Sequence, residues 1–455
     1  MINVKDFGAL GDGVSDDRAA IQAALNAWTL GEVVWFPRPS VAYRVGQSGN
    51  NPWCLLVSNS VVMRGENRFA CVINAAAGIG PSCSVIRVEG AACVTISDLT
   101  IDGDKANQDI NQWRHGLFVK RAPLFTMSRC TLTGAGGDGI EVYDGSNDAM
   151  FRDVLCSNNT RNGLTFGGFT RGGTVIDCQF LGNGAQQLDS EGGPVHDVTL
   201  RGCMFDGLGA SQDHVLTMTG QGASDELRSH GWTVTDCIVN GSALILWMDS
   251  IVYARNSGLN QTAKPSVVIY RRCERVRIQD CDLHTTVPAA YDAGALIHVL
   301  ATSSVGQAAS DIRIEGNTLS TTADAIGVSV IGAKDALIAD NTLQGGGVGM
   351  GVFVRSVLPS VPLNRLFIQR NLITGFSDYG VLAGGNGIPP SVAKIMRLDI
   401  DGNSFDRPLY LGDDNLTVRD CTVARNQYIG SGALVERAPG GTPSSWGDGT
   451  RWVVQ

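Results

Sequence analysis

TVIDCQFLGNGAQQLDSEGGPVHDVTLRGCMF, residues 174–205, decides the fold. It carries one short pattern twice, as TVIDCQF and TLRGCMF: an apolar residue, two variable positions, Cys, one variable position and a second apolar residue. The motif returns as TISDLTI, TMSRCTL, TVTDCIV, VYARNSG, RIQDCDL, RIEGNTL, LIADNTL, FIQRNLI, DIDGNSF and TVRDCTV, with FRDVLC a weaker member. Aligned, the central column reads Leu99, Cys130, Val154, Cys178, Cys203, Cys237, Asn256, Cys281, Asn317, Asn341, Asn371, Asn403 and Cys421, at spacings between 18 and 36 residues. Alternation of period two, no helical period and a repeat of this length predict an all-β solenoid, a parallel β-helix in which each repeat is one circuit of backbone. The shortest repeats set the coil, and the longer ones carry loop insertions. Strands stacked at about 4.7 to 4.9 Å over twelve intervals make a rod roughly 58 Å long.

The column itself reads as structure. An Asn at the same inward bend of successive coils stacks on its own kind by amide hydrogen bonds, and a small thiol fills the same narrow bend. The twelve cysteines therefore read as buried, reduced thiols, because most fall inside strand patterns. No CxxC or Cys/His cluster has zinc spacing; no metal ligand and no cofactor is assigned, with calcium binding left open.

Composition agrees with many short strands and tight turns: 57 glycines in 455 residues, 7% aromatic and 17% charged. The net charge of −9 leaves no basic stripe for phosphates, which argues against nucleic acid, and it weakens the case for an anionic membrane. No apolar run is long enough to span a bilayer. The opening MINVKDFGALGDG lacks the basic and apolar regions of a signal peptide, which leaves the cytosol, a virion and export by another route all open; an extracellular or virion-associated place is the expectation.

Ahead of the coils, SDDRAAIQAALNAW (15–28) predicts a helix. Ser15 is placed to cap it, Asp16 and Asp17 favour the positive end of its dipole, and Ile21, Leu25 and Trp28 form an apolar stripe. Such a helix can plug the open end of a β-helix. The expected organisation is an N-terminal cap over 1–50, the β-helix over 51–425, and a tail or opposite cap over 426–455.

A second strand follows each ladder motif: HGLFVKR, DGIEVYDG, NGLTFGG, QQLDSEGG, HVLTMTG, VVIYRR, LIHVLA, GVFVRS and GVLAGG. With alternate residues inward, the outward row becomes Phe118, Glu141, Thr165, Asp189 and Thr217, continuing to Ile269, His298 and Phe353. A parallel row holds Lys120, Tyr143, Gly167, Glu191, Thr219 and Arg271, and a third holds His115, Asp138, Asn162, Gln186 and His214. Carboxylates gathered on one face suit glycoside hydrolysis, which needs one protonated and one ionised carboxyl about the scissile bond. Glu141 and Asp189, two coils apart, form one candidate pair; Asp189 and Glu191, roughly 6.6 to 6.8 Å apart along one strand, form another. Asp138, Tyr143 and Lys120 complete the candidate catalytic set. His115, Phe118, Asn162, Thr165, His214, Thr217 and Arg271 are candidates for holding the chain of sugars. Lyase chemistry asks instead for a base and a cation at a uronate, roles open to Lys120, Tyr143, His115 and His214.

VKDFGALGDGVSDDRAAIQAAL (4–25) resembles the opening of the pectate-lyase-like, right-handed β-helix superfamily, which includes phage tailspike depolymerases, polygalacturonases and alginate C5-epimerases. The resemblance implies a right-handed, single-stranded parallel β-helix with a capping helix, acting on a polysaccharide, and from the tailspikes a homotrimer. Alginate epimerases carry YGFDPHE where this chain has DGIEVYD: Asp138 takes the place of the Tyr, Glu141 of the Asp and Tyr143 of the His, while their second catalytic His aligns with Gln186. The NTD, DD, GHG and RIK motifs of polygalacturonases do not occur in the coils. Cleavage of a bacterial surface or acidic polysaccharide by paired carboxylates is the leading expectation. Proton abstraction at C5 by a lyase or epimerase is the alternative, and a non-catalytic glycan-binding fibre or adhesin is the other.

Overall fold

The computed structural model describes residues 1–207, 214–222, 224–287, 295–300, 308–347, 349–355, 363–384, 393–395, 397–411, 416–418, 421–431, 434–436 and 453–454. Most of the expected C-terminal tail, 426–455, lies outside the described residues. The chain divides into two compact units, Met1–Thr217 and Met218–Gln455.

In the first unit every circuit contributes to two parallel sheets. The ladder sheet keeps strict register: Ile96, Met127, Phe151, Val175 and Leu200 stack in one inward column, and Ile101, Leu132, Cys156, Phe180 and Phe205 in another. All ten are buried, and the Phe180 and Phe205 rings lie parallel at 5.2 Å. Each fully buried side chain of this size stabilises the fold by about 1.5–3 kcal/mol, so the core is built by repetition of one small gain. The second sheet runs through Trp53–Val57, Ser84–Glu89, Leu117–Lys120, Ile140–Tyr143, Leu164–Gly167 and Leu188–Glu191. Its inward column is Leu55, Ile86, Leu117, Ile140, Leu164, Leu188 and Leu216.

The second unit repeats the plan. Val276, Ile312, Ala336, Leu366, Leu398 and Cys421 stack in its ladder sheet, and Ile245, Ile269, Val299, Val330, Val354, Ala383 and Leu411 in its second sheet. The expected outward row slips here by one residue. Ile269 faces inward and is fully buried, and Val268 takes the outward place beside His298. Because side chains alternate with period two, that slip carries every residue of the strand to the other face. Tyr270, not Arg271, therefore occupies the row assigned to Arg271, which sits past the strand at φ 62° with its guanidinium 4.5 Å from Trp247 and 5.1 Å from Tyr270.

The column of Asn residues behaves as its repetition requires. Nδ2 of Asn317, Asn341 and Asn371 each donates to Oδ1 of the next Asn at 2.9 Å, ending on Asn403, whose own Nδ2 reaches Asn426 at 3.0 Å. The same Oδ1 atoms accept a backbone N–H from the preceding coil, so the amide satisfies the bend's own polar groups. The cysteines are free thiols, and all but the exposed Cys93 are buried.

A regularity hidden from the sequence lies one position earlier. The residue before the column is left-handed in coil after coil: Asp98, Arg129, Asp153, Asp177, Gly202, Asp236, Arg255, Asp280, Gly316, Asp340, Arg370 and Gly402, with φ between 50° and 69°. Where an Arg follows an Asp in the next coil the two pair, as Arg129 with Asp98 at 2.6 Å and Arg370 with Asp340 at 2.6 Å. Gly202 follows Asp177, and a Cβ there would lie 2.7 Å from the Asp177 carboxylate, so a side chain at 202 would displace that carboxylate, although Asp and Arg adopt the same φ in other coils.

The N-terminal helix forms over Arg18–Asn26, shorter than the expected 15–28. Ser15 is not its cap: its hydroxyl donates to Asp12 at 2.8 Å. Asp17 holds the N-cap position, but its carboxylate accepts the Leu10 and Gly11 N–H groups at 2.6 and 3.1 Å instead of capping. Ile21, Ala24 and Leu25 are buried, while Trp28 lies beyond the helix and bonds Glu32 O at 2.7 Å. No helix among the described residues is long and apolar enough to cross a membrane.

Candidate functional site

Parallel pairing in the first unit aligns Arg87, Phe118, Glu141, Thr165 and Asp189 directly on the outer face of the second sheet. Glu89, Lys120 and Tyr143 form the neighbouring row, and Gly167 pairs with Glu191 in its continuation. The expected row therefore forms: residues 23 to 31 positions apart pair because each circuit returns to the same side.

Exposure departs from expectation. His115, Asp138, Glu141 and Asp189 are only 3%, 0%, 3% and 8% exposed, and Asn162, Thr165 and Thr217 are buried with them. Outward direction did not mean solvent, because neighbouring polar side chains close over one another. Asp138 accepts the Asn162 N–H at 2.9 Å, the Thr165 hydroxyl at 3.0 Å and Arg161 Nη1 at 3.1 Å. Burial pushes its carboxyl up to about 6, against the opposing pull of His115, Arg161 and the Asn162 N–H. Asp189 accepts the Thr217 hydroxyl and, at 3.5 Å, Asn162 Nδ2. Burial likewise pushes Asp189 up to about 6, with Glu191 adding to the rise and the Thr217 bond and Arg161 opposing it. Asn162 Nδ2 also donates to Thr165 Oγ1 at 3.0 Å, linking the two acids.

Arg161 escaped the sequence reading, although it adjoins Asn162. Its guanidinium bridges Asp138 and Glu191 from two different coils. Burial works against that charge, but pairing with the two acids outweighs it and holds the guanidinium above its ordinary range. No spacing rule could have picked it, since its partners lie 23 and 30 residues away on other circuits. A buried amide ladder was also missed: Asn159 Nδ2 donates to Asn183 Oδ1 at 2.9 Å, and Asn183 Nδ2 to Gln187 Oε1 at 2.7 Å.

Around the acids stand aromatic and basic groups. The His115 ring stacks on Phe118 at 5.5 Å and Phe118 on Tyr143 at 6.3 Å; Arg87 lies 4.7 Å from the Phe118 centroid and Lys120 Nζ 5.9 Å from that of Tyr143. Phe118, Lys120, Tyr143 and Glu191 are half-buried, so they remain reachable. Pro52, Ser82, Ser84, Arg87, Trp113, His115 and Phe118 line a recess of about 210 Å³ beside them. His214 is half-buried near the last strand of the row, whereas Arg271 belongs to the second unit.

Two family models match: "Rhamnogalacturonase A/epimerase, pectate lyase-like" over residues 1–39 and "Right handed beta helix region" over 84–259. Mannuronan C5-epimerase AlgE6 of Azotobacter vinelandii is 32% identical over 174 residues, which is 36% of this chain and 20% of the epimerase. Alginate lyase 7 of the same organism is 39% identical over 114 residues, 24% of this chain and 13% of the lyase. The chain thus spans a fifth or less of these two curated relatives. Among solved structures, the A-module of A. vinelandii mannuronan C-5 epimerase AlgE4 aligns with TM-score 0.56 and 22% identity over 75% of this chain and 95% of the module. The tailspike protein gp49 of Pseudomonas phage LKA1 aligns with TM-score 0.59 and 13% identity over 84% and 82%. These relatives and neighbours are β-helix proteins, and the named enzymes among them act on polysaccharides. With the matched coils and two parallel sheets stacked circuit by circuit, the chain is a right-handed parallel β-helix protein, similar over its opening to the pectate-lyase-like family.

Proposed function

We propose that the protein is an enzyme that cleaves a polysaccharide bound across the outer face of the second sheet in the first unit, by hydrolysis between Asp189 and Glu191. The supporting observation is the contrast between these strand neighbours. Asp189 is nearly enclosed with its carboxyl pushed up to about 6, whereas half-buried Glu191 is ion-paired to Arg161. A carboxyl that keeps its proton into mildly acidic solution serves as general acid to the leaving oxygen, and an ionised one nearby activates water. Residues two apart on a strand share a face with their backbones about 6.6 to 6.8 Å apart, a spacing from which the two carboxyls can take up the separation of inverting hydrolysis. Glu141 moves out of the leading pair, because it is closed against His115. Phe118 and Tyr143 offer faces for sugar rings, and Lys120 and Arg87 offer cations for acidic ones.

A second reading is proton abstraction at C5 of a uronate, by β-elimination or epimerisation. It is favoured by the mannuronan epimerase and alginate lyase relatives, with Tyr143 as base, next to Lys120. Digestion of a panel of bacterial surface glycans and uronans separates the two. Hydrolysis releases saturated reducing ends; elimination adds the ultraviolet absorbance of an unsaturated uronate; epimerisation changes the sugar without cutting the chain. Retained binding with no turnover on any member of the panel would sink both and leave the glycan-binding fibre. We assign the action to the outside of a cell or a virion, where such polymers lie. Assembly as a homotrimer, implied by the tailspike resemblance, is read by light scattering.

A further inference from the structure

Beside the Asp189 and Glu191 pair, the same face carries a cluster that the hydrolytic reading leaves unused. His115, Asp138 and Glu141 each present one donor atom, and the three atoms lie within 4.8 Å of one another. All three residues are at least nine-tenths buried.

Two atoms in this cluster lack a hydrogen-bond partner: His115 Nδ1 and Glu141 Oε2. His115 Nε2 lies 2.7 Å from Glu141 Oε2, yet the pair lacks the alignment of a hydrogen bond, and Nδ1 stands 3.7 Å from Asp138 Oδ2. Buried polar atoms are nearly always satisfied, so an unpartnered imidazole nitrogen and an unpartnered carboxylate oxygen enclosed in one cluster call for a ligand there.

The surroundings are built to hold the donors still. The imidazole stacks on Phe118 and meets Trp113 edge-on at 6.4 Å. Asp138 is fixed by the Asn162 N–H, by Thr165 and by Arg161, the kind of outer support that orients metal ligands. Local charge points the same way. Asp138, Asp189 and Glu191 all act on one guanidinium, Arg161, which is already shared between Asp138 and Glu191, and Glu141 stands against His115 instead. A dication offsets much of that excess.

We propose that His115, Asp138 and Glu141 form a binding site for a first-row divalent cation of the zinc or manganese kind. One imidazole nitrogen with two carboxylate oxygens suits such ions, whereas calcium and magnesium prefer sets made wholly of oxygen. Three protein ligands leave a fourth position for water. The site rests on geometry alone and stands whether the glycan is hydrolysed, eliminated or only bound.

The test uses the whole chain, stripped with chelator, reloaded with Mn²⁺, Zn²⁺ or Co²⁺, desalted and assayed for retained metal. One equivalent per chain is expected, with a thermal transition that rises with metal concentration, a weaker response to Ca²⁺ or Mg²⁺, and Co²⁺ d–d bands without thiolate charge-transfer absorption. Glu141→Gln and His115→Gln should each lower retention at least tenfold while the metal-free proteins keep the wild-type circular dichroism. Failure of the wild type to retain metal overturns the proposal, and so does equal retention by both variants or a thiolate signature pointing to the cysteines. Because the readout is metal content, its failure is distinct from failure of the cleavage assay.

Discussion

Arg161 Nη1 stands 3.1 Å from Oδ2 of the fully buried Asp138, one coil away, while its other amino group reaches Glu191. One side chain thereby ties the enclosed floor of the site to its accessible rim.

Arg161→Met should destabilise the protein by about 3 kcal/mol near neutral pH, the lower end for breaking a buried pair, since a quarter of the arginine side chain is exposed. Urea unfolding measures it. A loss below about 0.5 kcal/mol would mean that Asp138 is satisfied by Thr165 and Asn162 alone.

Asp189 titrates near 6 in the folded protein against about 3.9 in an unfolded chain. Its folded pKa is raised, so the native state binds the extra proton. Stability gains as pH falls from about 7 towards 4, and the cost of the buried charge is fully present above the folded pKa. The span is about 2–3 kcal/mol at most. Asp189→Asn should abolish that share of the pH dependence in urea melts while leaving the protein folded. On the hydrolytic reading it also removes the high-pH limb of the rate profile, which falls as Asp189 loses its proton.

Glu191→Gln and Tyr143→Phe divide the two chemistries. Loss of a general base costs about 10²–10⁴ in rate. Hydrolysis predicts that loss for Glu191→Gln, with Tyr143→Phe affecting mainly KM; proton abstraction predicts the reverse. Steady-state kinetics on any cleaved glycan decide.

In the second unit, Asn341→Ala removes donors to Ile314 O at 2.8 Å and Asn371 Oδ1 at 2.9 Å, and strips the acceptor from the Asn317 N–H and Nδ2. Orphaned buried groups cost about 1–3 kcal/mol each, so a loss of about 3–5 kcal/mol is expected. Leu337→Ala, on the half-exposed side of the same circuit, should cost less than half as much in the same denaturation series.

The repeat was legible because it is local. Each TVIDCQF-like segment carries its own alternation and its own Cys or Asn, and Asn317, Asn341, Asn371 and Asn403 do stack as that column implied. The row Phe118, Glu141, Thr165 and Asp189 was legible for the same reason, since similar strands set similar registers. The reading failed at Ile269 and Arg271, where SVVIYRR offers two apolar phases and only packing selects one. It failed again at Ser15, whose hydroxyl had a closer acceptor in Asp12.

Pattern along the chain was therefore enough to determine a parallel solenoid, its inward columns and the face on which the acids gather. Only the tertiary structure decided that Asp138, Glu141 and Asp189 are enclosed, that Arg161 joins two of the four acids, and that His115 closes on Glu141. The physical reason is that direction from a strand follows from a two-residue period, whereas burial, charge pairing and ligand geometry depend on which side chains adjacent circuits bring to the same few ångströms.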